Sequence, residues 1–407
     1  MIQLFRMAFR DLGRNRRRTF FSILALAMGL ALLILMASFI NGEMSSAMDT
    51  TIKLQSGHLQ LRQQNYDETK ASLKWENLIE DPAQVTRQIA TLEPVIAASA
   101  RLFASGIVAS RDQSTGVQIV GIEPDSITNN PYREGLVSGE FLTAGDRDGI
   151  LIGRPLSEKM GLQVGDQINL TANTSNGDVS DQLFTIRGIY STETRVFDSA
   201  IVFLPLEKAQ AMTGTENHAS TIFVLLKDKD QTDAVVNALQ TSRYKILTWT
   251  KMNEVIIQTE NLSNAYMSLF YLIVLGVTAT VIINTLIMAV FERTREIGIF
   301  SAIGMRSRRI MAMFLAESSL LAIGGILLGL VLGALAVAYL ERNGFYIGNM
   351  AVGGGGFLIR DTVYAKFSLE GTINVTIMAF IVTMLAGLYP AALAARMEPV
   401  EALRAEK

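Results

Sequence analysis

The sequence predicts an α-helical membrane protein with four transmembrane helices and an extracytoplasmic α+β domain of two subdomains between helices 1 and 2. Three observations support this fold class. Of the 407 residues, 49% are hydrophobic and only 18% are charged, which is low in charge for a soluble protein of this length. Four apolar runs exceed 18 residues, the length that spans a bilayer as a helix. A long segment between the first two runs carries strand and helix patterns instead.

The first apolar run, Thr19–Ile40, is predicted to be transmembrane helix 1 rather than a cleaved signal sequence. A signal sequence has an apolar core of about 7–15 residues that ends at a small-residue cleavage site. This run has 22 residues and continues into NGEMSSAMDT without such a site. We therefore expect residues 19–40 to remain in the mature protein as a membrane span.

The next segment, residues 41–265, has the pattern of a folded α+β domain. Short apolar or alternating stretches predict strands at 57–63, 105–110, 115–122, 166–172, 182–190, 199–205, 220–227 and 243–249. Helical spacing predicts helices at 81–92, 153–162, 204–214 and 230–240. The first of these helices opens with Asp81 and Pro82, a favourable cap and first-turn pair.

Two turn-rich stretches predict the division of this domain into subdomains. Gly121–Phe141 is rich in Pro, Gly and Asn and is the predicted crossing into the second subdomain. Thr213–Ser220 is the predicted return. The second subdomain therefore covers about residues 126–219.

Three further spans follow the domain. The apolar runs Ser268–Phe291, Met311–Tyr339 and Ile373–Ala395 predict transmembrane helices at 266–291, 311–340 and 373–395. A charged turn at 292–310, an outer loop at 341–372 and a tail at 396–407 connect or follow them.

The distribution of Lys and Arg predicts the orientation. Residues 1–18 hold six Arg and one acid, Asp11, and the 292–310 turn holds five Arg. Because basic short flanks stay in the cytoplasm, both termini and this turn are predicted to be cytoplasmic. Residues 41–265, with 19 basic and 28 acidic residues, are predicted to be outside. Topology and anionic lipid explain the basic residues, so we expect contact with the bilayer and no nucleic-acid binding.

No motif for catalysis or cofactor binding is present. The sequence has no G-x-x-x-x-G-K-[ST] phosphate-binding loop, so no nucleotide site is expected in this chain. His58 and His218, the two histidines, lack metal-ligand spacing, and there is no cysteine. We expect no enzyme activity, no metal site and no cofactor in this chain.

The charged turn, Glu292–Ile310, has the sequence ERTREIGIFSAIGMRSRRI and carries seven charged side chains. Glu292 with Arg295, and Arg293 with Glu296, have the i,i+3 spacing of opposite-charge pairs on a helix. Apolar residues and glycines lie among these charges: Ile297, Gly298, Ile299, Phe300, Ile303, Gly304 and Met305. This pattern indicates a short helix in an interface or in a partner's groove. A loop that serves topology alone is the alternative.

This string resembles the coupling region of ABC transporter permeases of the MacB/FtsX/LolC-LolE superfamily. Glu292–Ile299, Ala302–Gly304 and Ile310 match the family pattern, whereas Ser301 replaces a usual basic residue and Met305 a usual Ala. The stretch AFRDLGRNRRRTFFSILALAMGLAL resembles the family's amphipathic helix, here within residues 1–18, and its first span. GLYPAALAARMEPVEALR resembles the family's closing segment. Two further stretches, Asp148–Leu170 and Phe184–Gly214, resemble the second subdomain that the family inserts into a porter-like periplasmic domain.

The resemblance implies a permease subunit that works by mechanotransmission in the bacterial inner membrane. A second permease subunit, identical or paralogous, and two copies of a cytoplasmic ABC ATPase would complete the transporter, and the ATPase would bind ATP and Mg²⁺. The residues implied to dock in the ATPase groove are Glu292, Arg293, Arg295, Glu296, Ile297, Gly298, Ile299, Ile303 and Gly304. ATP-driven closure there would move the outer domain.

Polar and small residues in the third span are further candidates. Gly325, Gly329 and Gly333 form two G-x-x-x-G steps, which allow close helix contact within the protomer or in a dimer. Glu317 is an acid within the span, where isolated charge is costly. The resemblance implies that it pairs with an Arg on the cytoplasmic side, and a side chain that only extends to the interface is the alternative.

The sequence says less about the cargo than about the fold or the coupling region. SGHLQLRQQNY, just after the first span, resembles lipoprotein-releasing permeases more than antibiotic exporters. This favours extraction or export of lipoprotein or another amphiphile, with a periplasmic lipoprotein carrier or adaptor as a partner. A drug or toxin efflux permease of the MacB type, and a non-transporting transducer of the FtsX type that controls a cell-wall hydrolase, are the alternatives.

Overall fold

The computed structural model describes residues 2–67, 71–110, 113–239, 243–347, 358–398, 400 and 402. The described chain forms two compact units. We call the first the helical unit; it consists of Met1–Glu43, Glu260–Phe345 and Val363–Lys407. We call the second the α+β unit; it consists of Met44–Thr259 and Tyr346–Thr362. Parts of the predicted outer loop (348–357) and tail (399, 401 and 403–407) lie outside the described residues.

The helices and strands are numbered in chain order. The helices are α1 (Ile2–Arg14), α2 (Arg16–Thr51), α3 (Pro82–Ala90), α4 (Asn130–Glu134), α5 (Arg154–Met160), α6 (Arg195–Ala200), α7 (Leu206–Thr213), α8 (Thr232–Leu239), α9 (Trp249–Met252), α10 (Glu254–Glu292), α11 (Thr294–Ala302), α12 (Ser307–Asn343) and α13 (Leu369–Ala395). The strands are β1 (Leu59–Gln63), β2 (Ile79–Glu80), β3 (Val95–Ser110), β4 (Gln113–Ile122), β5 (Leu136–Gly139), β6 (Gly149–Gly153), β7 (Gln167–Asn173), β8 (Val179–Tyr190), β9 (Ile201–Pro205), β10 (His218–Ala219), β11 (Thr221–Leu226), β12 (Tyr244–Thr248), β13 (Phe345–Tyr346) and β14 (Thr362–Val363).

Four helices, α2, α10, α12 and α13, are long and apolar enough to cross a membrane, which confirms the four predicted spans. Large apolar side chains such as Phe21, Leu272 and Leu335 are exposed on their outer faces, as lipid-facing side chains are. The helices α2 and α10 extend well beyond the apolar runs Thr19–Ile40 and Ser268–Phe291. Hydropathy detects the part of a helix that matches the hydrocarbon core, and polar residues continue each helix outside that part.

The α+β unit is built on a ten-stranded sheet in the order β12-β1-β11-β3-β4-β9-β6-β8-β5, with β7 paired to β3 and β8. The predicted second subdomain supplies β5 to β9, and these strands form one half of the sheet. The flanking segments supply the other half, and the parallel pair β4–β9 and the antiparallel pair β3–β7 join the two halves. Two apolar clusters, one around Leu102 and Ile152 and the other around Tyr132 and Phe203, form the core.

All eight predicted strands and all four predicted helices of this unit are confirmed in position. The first half of β3 and the strands β2, β5, β6 and β10 were not predicted. The first half of β3 is rich in Ala and Ser and lacks alternation, and β6 is a five-residue buried run. Asp81 precedes α3 with φ of 47°, but its side chain makes no capping hydrogen bond; the backbone carbonyl of Asp81 accepts from Gln84 N instead.

A segment of the predicted outer loop belongs to the α+β unit. Leu358 is buried in the cluster of Tyr132 and Phe203. Arg360 forms an ion pair with Glu193, and Asp361 N donates to the carbonyl oxygen of Glu193 at 2.8 Å. The loop between the third and fourth spans is therefore anchored within this unit.

Candidate coupling site

The charged turn folds into the short helix α11, between the ends of α10 and α12. It begins after Arg293, whose backbone φ of −115° and ψ of 13° interrupts the helical path. It ends at Ala302, and a turn through Gly304 follows, in which Gly304 N donates to the Ser301 carbonyl at 3.0 Å and Met305 N to the Phe300 carbonyl at 2.9 Å. This turn needs the left-handed conformation of Gly304, with φ of 91°, which glycine adopts without strain.

One face of α11 is buried within the helical unit. Ile297 is 1% exposed and lies in a cluster with Val290, Ile310 and Phe314, and Gly298 is buried beside it. The cluster joins α11 to the ends of α10, α12 and α13. A displacement of α11 would therefore act directly on three of the four spans.

The opposite face of α11 is exposed. Ile299 is 44% exposed, and Ile303, which directly follows α11, is 80% exposed. Arg295 and Glu296 are exposed beside them, as is Gly304. Two exposed isoleucines between charged residues give this face the mixed character of a protein interface with a polar rim.

Arg293 lies at the centre of a buried ion cluster. Its side chain is 2% exposed, and Nη1 lies 3.0 Å from Asp11 Oδ2 and 3.5 Å from Glu317 Oε2. The Glu317 side chain is 4% exposed. The cluster therefore links α1, the start of α11 and the third span, with each buried charge facing an opposite one.

Three polar contacts attach the start of the chain to residues on the two sides of Arg293; we call them the α1–α11 clamp. Arg14 Nη1 lies 2.8 Å from Glu296 Oε1, and Arg18 Nη1 lies 2.8 Å from Glu292 Oε2. Asn15 Nδ2 donates to the same Glu292 oxygen at 2.7 Å. The hydrogen bond to Glu296 raises the pKa of Arg14, so this side chain stays charged.

The predicted i,i+3 pairs within the turn do not form in the described residues. Glu292 pairs with Arg18, Glu296 with Arg14, and Arg293 with Asp11 and Glu317 instead. The reason is the break in the helix at Arg293. Glu292 ends α10 and Thr294 begins α11, so no single helix contains both members of either pair, and the i,i+3 spacing does not bring them together.

The structure separates the nine predicted coupling residues into two sets. Arg293, Ile297 and Gly298 are buried within the chain. The exposed set is Glu292, Arg295, Glu296, Ile299, Ile303 and Gly304. Sequence reasoning missed the partners Arg14, Asn15 and Arg18 and the role of Asp11. The one available signal was that Asp11 is the lone acid among six Arg in residues 1–18.

The glycines of the third span pack on the first span of the same chain. A Cβ at Gly325 would lie 2.5 Å from Leu26 Cδ2, and a Cβ at Gly329 would lie 2.9 Å from the Ala27 carbonyl oxygen. A Cβ at Gly333 would lie 3.2 Å from Ile34 Cβ. The glycine stripe therefore lets α12 approach α2 within one protomer.

The two histidines have structural surroundings. His58 Nδ1 accepts from Leu226 N at 3.1 Å, and His218 stacks on Trp75 with ring centroids 5.0 Å apart. The part of the chain that the structure describes holds no group of three or more His, Asp or Glu side chains that could bind a metal.

The chain has four spans, an α+β domain between the first two and a charged helix between the second and third. This is the architecture of an ABC transporter permease subunit. Residues 19–242 match the MacB-like periplasmic core domain, and residues 268–399 match the FtsX-like permease C-terminal domain. The chain belongs to this family, the ABC permeases of the LolC/LolE/MacB superfamily. Both matched domains are permease domains, and these 407 residues contain no ATPase domain.

Relatives of two kinds align with nearly the whole chain. The lipoprotein-releasing system transmembrane protein LolC of Neisseria meningitidis serogroup B is 24% identical over 95% of this chain and 94% of that protein. The macrolide export ATP-binding/permease protein MacB 2 of Aeromonas hydrophila is 25% identical over 98% of this chain and 60% of that protein. The periplasmic region of MacB from Actinobacillus actinomycetemcomitans aligns with 50% of this chain and 97% of that structure, at 12% identity and a TM-score of 0.36.

Proposed function

We propose that this permease couples a separate cytoplasmic ABC ATPase to movement of its α+β unit by mechanotransmission, and that α11 is the docking helix. The observation that carries the proposal is the two-sided character of α11. Its exposed face offers Ile299, Ile303, Arg295 and Glu296 to a partner, whereas Ile297 on its buried face contacts the span ends. A force applied to the exposed face is thereby passed to the membrane helices.

The buried contacts make α11 suitable for this role. A docking helix must move with the spans rather than rotate freely against them. The Arg293 cluster and the α1–α11 clamp fix the beginning of α11, through Asp11 and Glu317 at Arg293 and through Arg14 at Glu296. We therefore assign Arg293, Ile297 and Gly298 to transmission and the exposed residues to ATPase contact.

The proposed assembly follows the same scheme. Two ATPase copies bind two permease subunits, each through one α11, and the ATPase supplies the site for ATP and Mg²⁺. Both termini and α11 face the cytoplasm, since residues 1–18 and 292–310 hold eleven Arg between them. The α+β unit lies outside, in the periplasm.

The proposed cargo is lipoprotein or another amphiphile already at the outer face of the membrane. The support is the full-length likeness to LolC, which bears the name of a lipoprotein-releasing system protein. The likeness to MacB 2, a macrolide export protein, favours drug efflux as the second candidate. A periplasmic carrier or adaptor protein would receive the cargo in either case.

Reconstitution distinguishes the two cargo classes. The permease and its ATPase would be placed in proteoliposomes that contain a triacylated lipoprotein, and its ATP-dependent release to a soluble carrier would be measured. The same lipoprotein without acyl chains, and an ATPase variant unable to hydrolyse ATP, are the controls. Release of the acylated form alone supports the lipoprotein assignment. ATP-dependent uptake of erythromycin into inverted vesicles without lipoprotein release would contradict it and support efflux.

A further inference from the structure

The α+β unit contains a cavity of about 150 Å³ that the proposed coupling mechanism does not use. Its walls combine cationic and aromatic side chains: Arg62, Arg101, Tyr66, Tyr132, Phe197 and Phe203. None of the described residues that line it is acidic. The cavity therefore presents positive charge and ring surfaces together, inside one unit of the chain.

Arg101 is the unusual member of this lining. Its side chain is 2% exposed, although an arginine is rarely buried without a carboxylate partner. The guanidinium carbon lies 3.6 Å from the centre of the Phe223 ring, and Nη1 donates to the Leu54 carbonyl oxygen at 3.1 Å. Burial lowers the pKa of Arg101. The ring and the carbonyl oxygen stabilise the cation only in part.

The Nε–Nη2 edge of Arg101 has the weakest bonding. Nη2 donates to the Thr128 carbonyl oxygen at 3.5 Å, the limit of a hydrogen bond. Nε has no hydrogen-bond partner in the described part of the chain. In proteins this edge of a guanidinium commonly pairs with both oxygens of a carboxylate, and a buried donor without an acceptor calls for an explanation.

We propose that this cavity is a binding site for a small organic acid, a carboxylate carried on a compact apolar group. The carboxylate would pair with Arg101, after a small rotation of its side chain. The apolar group would lie against Tyr132, Phe197 and Phe203. An apolar cavity of about 150 Å³ is large enough for a benzene ring. The site lies apart from the charged turn in sequence and does not depend on the cargo assignment.

The test uses the full-length protein in lipid nanodiscs with 4-fluorobenzoate as the probe, observed by ¹⁹F NMR. 4-Fluorobenzamide has the same shape without the charge, and inorganic phosphate has the charge without the ring. We expect saturable binding of 4-fluorobenzoate, at least about tenfold weaker binding of 4-fluorobenzamide, and no displacement of the probe by equimolar phosphate.

The variants locate the binding. Arg101→Gln should weaken 4-fluorobenzoate binding about tenfold or more, whereas Arg147→Gln, at an exposed arginine of the same unit, should leave it unchanged. If Arg101→Gln fails to fold, Arg101→Lys takes its place with the same expected direction, because an ammonium group cannot pair with both carboxylate oxygens as a guanidinium does. Equal binding of both fluorinated probes, equal binding to wild type and the arginine variant, or no saturable binding to wild type would each overturn the proposal.

Discussion

Removal of the Arg293 side chain should strongly destabilise the helical unit. Arg293→Ala would leave the Asp11 and Glu317 carboxylates without the cation that lies 3.0 and 3.5 Å from them. Breaking a buried pair by removing one partner costs about 3–5 kcal/mol, because a buried charge is left uncompensated. The 2% exposure of Arg293 and 4% exposure of Glu317 place this cluster in that buried class.

The matched control is Arg14→Ala, which breaks the exposed pair with Glu296. Those side chains are 52% and 48% exposed, so the expected cost is about 0.2–1 kcal/mol. The assay is equilibrium unfolding of the full chain in mild detergent, titrated with a denaturing detergent and followed by circular dichroism. The triple variant Arg293→Met, Asp11→Asn, Glu317→Gln should recover much of the loss, because it removes the buried charges together.

The reasoning would be refuted if Arg293→Ala cost no more than Arg14→Ala. It would also be refuted if the triple variant were less stable than Arg293→Ala alone. Either result would mean that water or lipid headgroups already solvate the cluster, so that the buried pairing contributes little.

Three further predictions concern other parts of the chain. Gly329→Leu should destabilise the helical unit by about 1–3 kcal/mol or more through overpacking against Ala27 and Leu30. Gly276→Leu is the control and should cause no such loss, because the space at the Gly276 Cβ position is open. Thermal unfolding compares the two variants. Burial raises the pKa of Asp198 from 3.8 to about 6. The folded state therefore holds this proton more tightly than the unfolded state, and the free energy of unfolding should fall by about 2 kcal/mol as pH rises from 4 to 6. Asp198→Asn should remove that fall, and an unchanged pH profile would contradict the assignment. Ser301→Cys, in a chain without other cysteines, should react with an impermeant maleimide only after the cells are opened; labelling of intact cells would reverse the topology.

The spans and the α+β class could be predicted from sequence because both depend on local periodicity. An apolar run of more than 20 residues leaves few alternatives to a membrane helix. Alternation identified strands such as β8, and a short apolar run identified β11. The helical ends were less predictable. α10 begins at Glu254, well before the apolar run at Ser268, because EVIIQTENLSNAY is amphipathic and is not detected by hydropathy.

The candidate site was predictable in position but not in its contacts. The turn was identified by its charges and its resemblance to a family pattern, which both lie within 19 consecutive residues. The pairing of Asp11 with Arg293 joins residues 282 positions apart, and no local pattern reports such a contact. For the same reason Arg101, in the run of small residues AASARLFAS, gave no sign that folding would bury it.

The central claim, that the exposed face of α11 receives a separate ATPase, is tested most directly by co-purification. The wild-type chain would be compared with Ile303→Asp, at a residue 80% exposed directly after α11, and with Val179→Asp, at a residue 65% exposed in the α+β unit. We predict that wild type and Val179→Asp retain the ATPase and stimulate its ATP turnover equally. Ile303→Asp should lose at least about 2 kcal/mol of binding, or roughly 30-fold in affinity, if Ile303 is an interface anchor. Full retention of the ATPase and unchanged turnover by Ile303→Asp, or no ATPase bound to the wild type, would contradict the account.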